Sequence, residues 1–153
     1  MKPRLNPYAV APELTKLLID FGTRIGQAGL EPSLAELLKI RASQINGCAR
    51  CLHMHTLDAR KNGETEERIF MLDAWHESPL YTDRERAALA WTDALTRLSH
   101  THAPDDVYQM VQAQFSEKEQ VTLTLMIAVI NNFNKLGVGF RVAHPVSSER
   151  QAA

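Results

Sequence analysis

The sequence predicts an all-α fold of about seven helices in one domain. Three observations carry this expectation. Apolar residues recur at spacings of three and four along nearly every segment, and no useful stretch alternates as a half-buried strand does. Helix start and stop signals recur along the chain. The connections between them are short, and Gly and Pro number only seven each among 153 residues.

The elements follow in order. Leu14, Leu17, Leu18, Phe21 and Ile25 form the apolar stripe of a first helix near 11 to 28, ended by Gly26 and Gly29. The next helix has two possible registers: Glu31 as N-cap with Pro32 in the first helical position, or a Ser33–Glu36 capping box. The Pro32 register is the stronger, because proline is pre-set for that position. This helix carries Leu34, Leu37, Leu38 and Ile45, and Asn46-Gly47 supplies residues able to turn left-handed and stop it. A third helix runs from about Cys48 to Lys61, stopped by Asn62-Gly63. Thr65 caps a short helix with Ile69, Phe70, Leu72 and Trp75. After a loop at Glu77-Ser78-Pro79, Thr82 and Glu85 box a helix bearing Ala88, Trp91, Leu95 and Leu98. Ser99 to Pro104 reads as a loop, and a helix with Val107, Met110 and Val111 follows. Ser116 and Glu119 box the last, long helix to about Phe140, and the tail beyond Pro145 should fray. That last helix is apolar on more than one side, so it is expected to be central in its domain or covered by another subunit.

Composition narrows the function. Lys and Arg total 17 against 18 Asp and Glu, a net charge of −1, so no long-range field recruits nucleic acid or an anionic membrane. No apolar core of a signal peptide follows the basic N-terminus. The longest apolar stretch, Val121 to Ile130, is about half the length of a membrane span and reads as core. A cytosolic location is expected. There a lasting structural disulfide is disfavoured, so the only two cysteines, Cys48 and Cys51, point to reversible redox chemistry or metal binding.

Helical periodicity puts Cys48, Cys51, Leu52, His55 and Ala59 on one face. The two cysteine α-carbons should lie roughly 5 Å apart, within disulfide range, and Cys51 and His55 roughly 6 Å apart. His55 therefore reaches Cys51 more readily than Cys48. The positive end of the helix dipole and Arg50 both favour a thiolate at this place. Such a pair can attack a peroxide or disulfide and be resolved by its neighbour, after which an external reductant must restore it. Two other readings use the same residues. The face can be plain core, since a buried Cys packs as a small apolar residue. It can also be part of a zinc site, though Cys48, Cys51 and His53 or His55 would have to borrow His76, His100, His102, His144 or a carboxylate as fourth ligand.

Beyond this face, Glu36 in the Pro32 register sits beside the apolar stripe, where burial should raise its pKa and suit it to proton transfer. Arg41 falls on that stripe and needs an acidic partner or a route to solvent. His53, His100 and His102 read as surface residues, and Trp75 and Trp91 as core. Asn131, Asn132 and Asn134 can cap, bridge an interface or line a pocket.

Glu36, eleven residues, Cys48-Ala-Arg-Cys51, three residues and His55 resemble the E-x11-C-x2-C-x3-H signature of the alkylhydroperoxidase AhpD-like family, within the carboxymuconolactone decarboxylase superfamily. The resemblance extends through Leu37 to Cys48, Asp58 to Thr65, Thr82 to Trp91 and Ile130 to Asn134, over about residues 12 to 142 of a single domain spanning 1–153. It implies an all-helical fold assembling as trimers or hexamers. It also implies a thiol-dependent peroxidase or disulfide-reductase activity needing no metal, flavin or haem, with an external reductant that is a lipoylated protein, a thioredoxin-like protein or another dithiol. By position, Cys51 is then the peroxidatic thiol, Cys48 the resolving thiol and proton donor, and Glu36 and His55 the proton relay. Arg50 departs from members that carry histidine just before the second cysteine. The alternatives are a lactone-acting decarboxylase with His55 as base, and a non-enzymatic redox-sensing oligomer.

Overall fold

The computed structural model describes residues 2–145. The tail expected to fray from about 146 lies outside them. Nine α-helices make up this part: α1 Pro7–Val10, α2 Pro12–Gly26, α3 Pro32–Asn46, α4 Ala49–Lys61, α5 Glu66–Met71 running into a 3-10 turn at Leu72–Ala74, α6 Asp83–Thr96, α7 Leu98–Thr101, α8 Asp105–Gln114 and α9 Glu117–Phe140. No strand occurs among the described residues. The two helices beyond the expected seven are single turns. Asn6 caps α1 by accepting from the Tyr8 N–H, and α7 occupies part of the expected Ser99–Pro104 loop. The Thr101 hydroxyl holds α7 against α6 by donating to the Ala94 carbonyl.

Capping signals translate directly. Thr82 with Glu85, and Ser116 with Glu119, form both reciprocal bonds of a capping box. At α3 the Pro32 register holds: Glu31 is the extended N-cap and Pro32 the first helical residue. The Glu31 carboxylate pairs with Arg84 at 2.9 Å instead of capping. No Ser33–Glu36 box forms, which leaves the Glu36 carboxylate to turn inward.

The centre of the fold is α3, which packs on α4, α6 and α9 and buries residues on every side, Leu37, Leu38 and Ile40 completely. Burying each such side chain favours folding by roughly 1.5–3 kcal/mol. The last helix shares the core through Leu123, Met126, Ile127 and Ile130 but leaves Val121 60% and Val138 45% exposed. By length and composition α9 would also pass for a membrane span, yet its inner face packs against α2, α3, α4, α6 and α8.

The expected stripe of α2 is corrected in part. Leu14, Leu17 and Phe21 are exposed and Leu18 is half-buried, whereas Ile25 of the same stripe is buried, and toward α9 the helix presents Gly22. Gly22 allows a close approach to α9: a Cβ there would lie 3.2 Å from Val129 and 3.5 Å from Phe133. Phe70, Leu98 and Met110 are likewise exposed ends of stripes whose other members are covered.

Two polar clusters tie α3 to its neighbours. The buried Arg41 guanidinium donates to both Asp93 oxygens at 2.6 and 2.8 Å and to Asp73 at 2.5 Å, which supplies the expected acidic partner. The Asn46 amide donates to Asn131 at 2.8 Å and Asn134 at 2.9 Å. Asn134, almost wholly buried, donates to the Ser43 hydroxyl at 3.0 Å, and Asn131 to Thr96 at 3.1 Å. The asparagines take a role the sequence did not suggest: Asn131 and Asn134 bridge α9 to α3 and α6 within the chain, while Asn132 is exposed.

Candidate active site

The site begins with the turn between α3 and α4. Gly47 ends α3 in the left-handed conformation at φ 65°, which a side chain would oppose. The Gly47 N–H donates to Gln44 and the Cys48 N–H to the Ser43 carbonyl at 3.0 Å, satisfying carbonyls the helix end would leave open. The chain therefore reverses at once, and α3 and α4 form a helical hairpin with Cys48 as N-cap of the second arm. Its sulfur accepts from the Cys51 N–H at 3.3 Å.

Cys48 and Cys51 are joined as a disulfide, their α-carbons 5.3 Å apart, close to the spacing read from the sequence. Both are buried. Gly137 of α9 lies directly over them: a Cβ there would stand 2.7 Å from the Cys48 sulfur and 3.5 Å from that of Cys51.

On the hairpin's facing arms, Nδ1 of His55 and Oε2 of Glu36 are 2.8 Å apart, and both residues are buried. Lys39 donates to the other Glu36 oxygen at 2.7 Å. Burial pushes the Glu36 carboxyl up, but the hydrogen bonds and charges of His55 and Lys39 outweigh it and hold the group below its ordinary value. This corrects the expectation of a raised pKa. An ionised carboxylate only accepts, so Nδ1 carries the hydrogen and Nε2 is the ring atom left to take or give a proton.

A cavity of about 540 Å³ opens onto this group. Cys51 and His55 line it; Cys48 does not. Its walls are mostly apolar, built from α2 and α9 with Ile19, Met126, Val129 and Phe133. Two cations, Lys39 and Arg50, border it. The structure thus brings together all four residues singled out by spacing, Glu36, Cys48, Cys51 and His55, and of the two cysteines only Cys51 lines the cavity.

The other candidates lie apart. His53 stacks on His144 at 4.9 Å between ring centroids, outside the cavity lining, and His100 and His102 are exposed. Glu36, His55 and Asp58 each offer a donor atom within 4.8 Å of the others, a grouping able to hold a cation but containing no sulfur. It is not the Cys/His zinc set the spacing left open. Sequence reasoning missed Lys39 and Gly137. Lys39 stands three residues after Glu36, the spacing of a helical ion pair, and Gly137 is a glycine inside an apolar helix, a mark of close packing.

Fold and site together define an all-helical protein whose C-x-x-C pair lies at the wall of an apolar cavity beside a Glu–His couple. The chain belongs to the carboxymuconolactone decarboxylase family, whose model matches residues 12–94, and within it resembles AhpD-like members. It is 41% identical over 138 residues to the uncharacterized protein YdfG of Bacillus subtilis, covering 90% of this chain and 94% of that one. A solved structure from Agrobacterium tumefaciens, a protein of unknown function described as a candidate antioxidant defence protein AhpD, is 42% identical with a TM-score of 0.93, covering 95% of this chain and all of its own. The debrominase Bmp8 shares the fold alone, with a TM-score of 0.81 at 17% identity over 93% of this chain and 76% of that one.

Two outcomes are expected from this geometry. Gly137→Ala should destabilise the oxidised protein by about 1–3 kcal/mol, because the new methyl must displace a buried sulfur or the helix that carries it. Gly139→Ala, with nothing within 4 Å of the added Cβ, should not. Urea melts of the two variants check this. The second outcome concerns pH. Because the Glu36 carboxyl titrates below its ordinary 4.5 when folded, its contribution is complete above that pH and is lost as pH falls through the folded-state value. Glu36→Gln should lower stability at neutral pH and flatten the acid limb of a stability–pH curve; an unchanged acid limb would contradict the assignment.

Proposed function

We propose that the protein is a cytosolic thiol peroxidase that reduces organic hydroperoxides through Cys51 and Cys48. The observation that carries this reading is the asymmetry of the pair: Cys51 reaches the cavity together with His55, and Cys48 is sealed behind it. In the reduced enzyme, Nε2 of His55 takes the Cys51 thiol proton, and the imidazolium is stabilised by the Glu36 carboxylate on Nδ1. The thiolate attacks the terminal oxygen of the hydroperoxide. The O–O bond breaks, Cys51 becomes a sulfenic acid, and the alkoxide takes a proton from His55 to leave as an alcohol. Cys48 then attacks the Cys51 sulfur, its own proton joining the departing hydroxide as water. One hydroperoxide and two thiols give one alcohol, one water and one disulfide. A lipoylated or thioredoxin-like dithiol returns two electrons and two protons.

Assembly with further copies of the chain belongs to the same reading. Val10, Leu14, Leu17 and Phe21 form an exposed apolar row on α1 and α2, with Val10, Leu14 and Leu17 all more than 60% exposed. A monomer would leave this row in water, and a trimer or hexamer would cover it.

The chemistry is checked by mass spectrometry and turnover. One equivalent of peroxide should convert the reduced protein to the Cys48–Cys51 disulfide, and Cys48→Ser should stop at the sulfenic acid, trapped by dimedone. Cys51→Ser should lose peroxide turnover entirely, whereas a lactone reaction using His55 as base would survive it. Glu36→Gln should slow turnover by about 10²–10⁴. Light scattering tests assembly: the native chain should have the mass of a trimer or hexamer in both redox states, and Leu17→Glu should reduce it. A monomeric native chain would defeat that part of the proposal, and a mass that changes with redox state would favour a sensor over a catalyst.

A further inference from the structure

A peroxidase for hydrogen peroxide needs little more than a thiolate, a proton donor and a channel as wide as water. The Cys51 cavity is larger, at about 540 Å³, and within the usual range for sites that hold an organic molecule. Its walls are mainly hydrocarbon, with Ile19, Met54, Met126, Val129, Ile130 and Phe133 among the lining residues. That lining suits a substrate with an extended apolar body.

The cations on the same cavity are not equivalent. Lys39 is neutralised by Glu36 at 2.7 Å and belongs to the relay. Arg50 has no carboxylate within ion-pair distance among the described residues. One of its nitrogens donates to the Ala143 carbonyl at 3.1 Å, and its guanidinium lies 5.9 Å from the centroid of the Tyr8 ring, another wall of the cavity. These contacts hold the side chain in place while leaving donors and charge unspent. Arg50 is half-buried, so its field is screened less than that of a surface arginine. The relay does not use it, since Glu36 and His55 satisfy each other. A planar guanidinium with free donors is the side chain best shaped to receive a carboxylate through two parallel hydrogen bonds.

We infer that the cavity selects a monoanionic amphipathic substrate: a hydroperoxide with an apolar body along the α2 and α9 walls and a carboxylate on Arg50, its peroxide directed to Cys51. The chemistry rests on the peroxidase reading, while the anion site stands on geometry alone. Arg50 is then a specificity residue and not part of the proton relay.

Unreactive ligands separate the two. Calorimetry on the full chain compares octanoate with octanamide, a neutral molecule of almost the same shape. The wild-type protein should bind octanoate about tenfold more tightly, the scale of one charge-assisted hydrogen-bonded pair. Arg50→Gln should bring the octanoate-to-octanamide ratio close to one, and Arg50→Lys should keep part of the preference. Equal affinities in the wild-type protein, or a ratio unchanged in Arg50→Gln, would overturn the anion site. Turnover then compares a long-chain fatty-acid hydroperoxide with its methyl ester, and kcat/KM should favour the acid by a similar factor. If octanoate is preferred but neither hydroperoxide is consumed, the peroxidase reading fails and the anion site stands.

Discussion

The arrangement of the site depends on how closely α9 approaches the turn between α3 and α4. The approach is possible because Gly137 presents backbone alone to the Cys48 sulfur. Its register is set one turn earlier, where Asn134 is held between Asn46 and Ser43, residues just before the same turn. An amide network inside an apolar core is costly unless its members find partners, so any slide of α9 along α3 would break hydrogen bonds that nothing else replaces. Polar matching fixes where α9 sits, and the missing side chain at Gly137 fixes how near it comes. The result is a disulfide closed on the Cys48 side and open on the Cys51 side.

The electrostatics of the Glu36–His55 couple follow from the same hairpin. A carboxylate as buried as Glu36 would ordinarily be driven towards its neutral form, and a neutral acid would leave the state of His55 undetermined. Lys39 on its own helix and His55 on the facing arm reverse that balance. With Glu36 ionised and Lys39 protonated the pair carries no net charge, so a proton taken up by His55 gives the group one positive charge. Under the peroxidase reading that charge forms at the cavity wall that also carries Cys51, where it lowers the cost of a thiolate. The raised carboxyl pKa suggested by burial alone would have supplied a weaker orienting partner for the imidazole.

Local signals and chemistry-bearing spacings were legible because each is written within a few residues of chain. Pro32 announced the start of α3, Ser116 and Glu119 the start of α9, and Gly47 the reversal. Cys48, Cys51 and His55 could be placed on one face of one helix by periodicity, and Glu36 joined them through the family signature that the spacing resembles. What periodicity does not carry is the identity of the surface a stripe will meet. Leu14, Leu17 and Phe21 share the spacing of Ile25, but only Ile25 is buried, and α2 meets α9 at Gly22, beside Val129. The same blindness hid Gly137, whose significance exists only once α9 lies over the disulfide. It also reversed the expected shift at Glu36, since one of the two partners that hold it down, His55, is nineteen residues away on another helix.

The fold itself does not choose the chemistry: a debrominase shares it at low identity, so activity must be argued from the site. Under the peroxidase reading, the sealed position of Cys48 has a kinetic consequence. After oxidation both sulfurs are in one disulfide, and a dithiol that enters through the cavity meets Cys51, which lines it, and not Cys48, which does not. Attack at Cys51 expels Cys48 as the leaving thiolate, placed at the N-cap of α4 where the helix dipole favours negative charge. The second thiol of the reductant then attacks its own sulfur in the mixed disulfide and frees Cys51. Oxidant and reductant must therefore use the same opening in turn, which makes the cycle ping-pong and favours a reductant whose dithiol is carried on a slender apolar arm. The closed face thus does more than protect a sulfur: it makes Cys51 the entry point of both half-reactions.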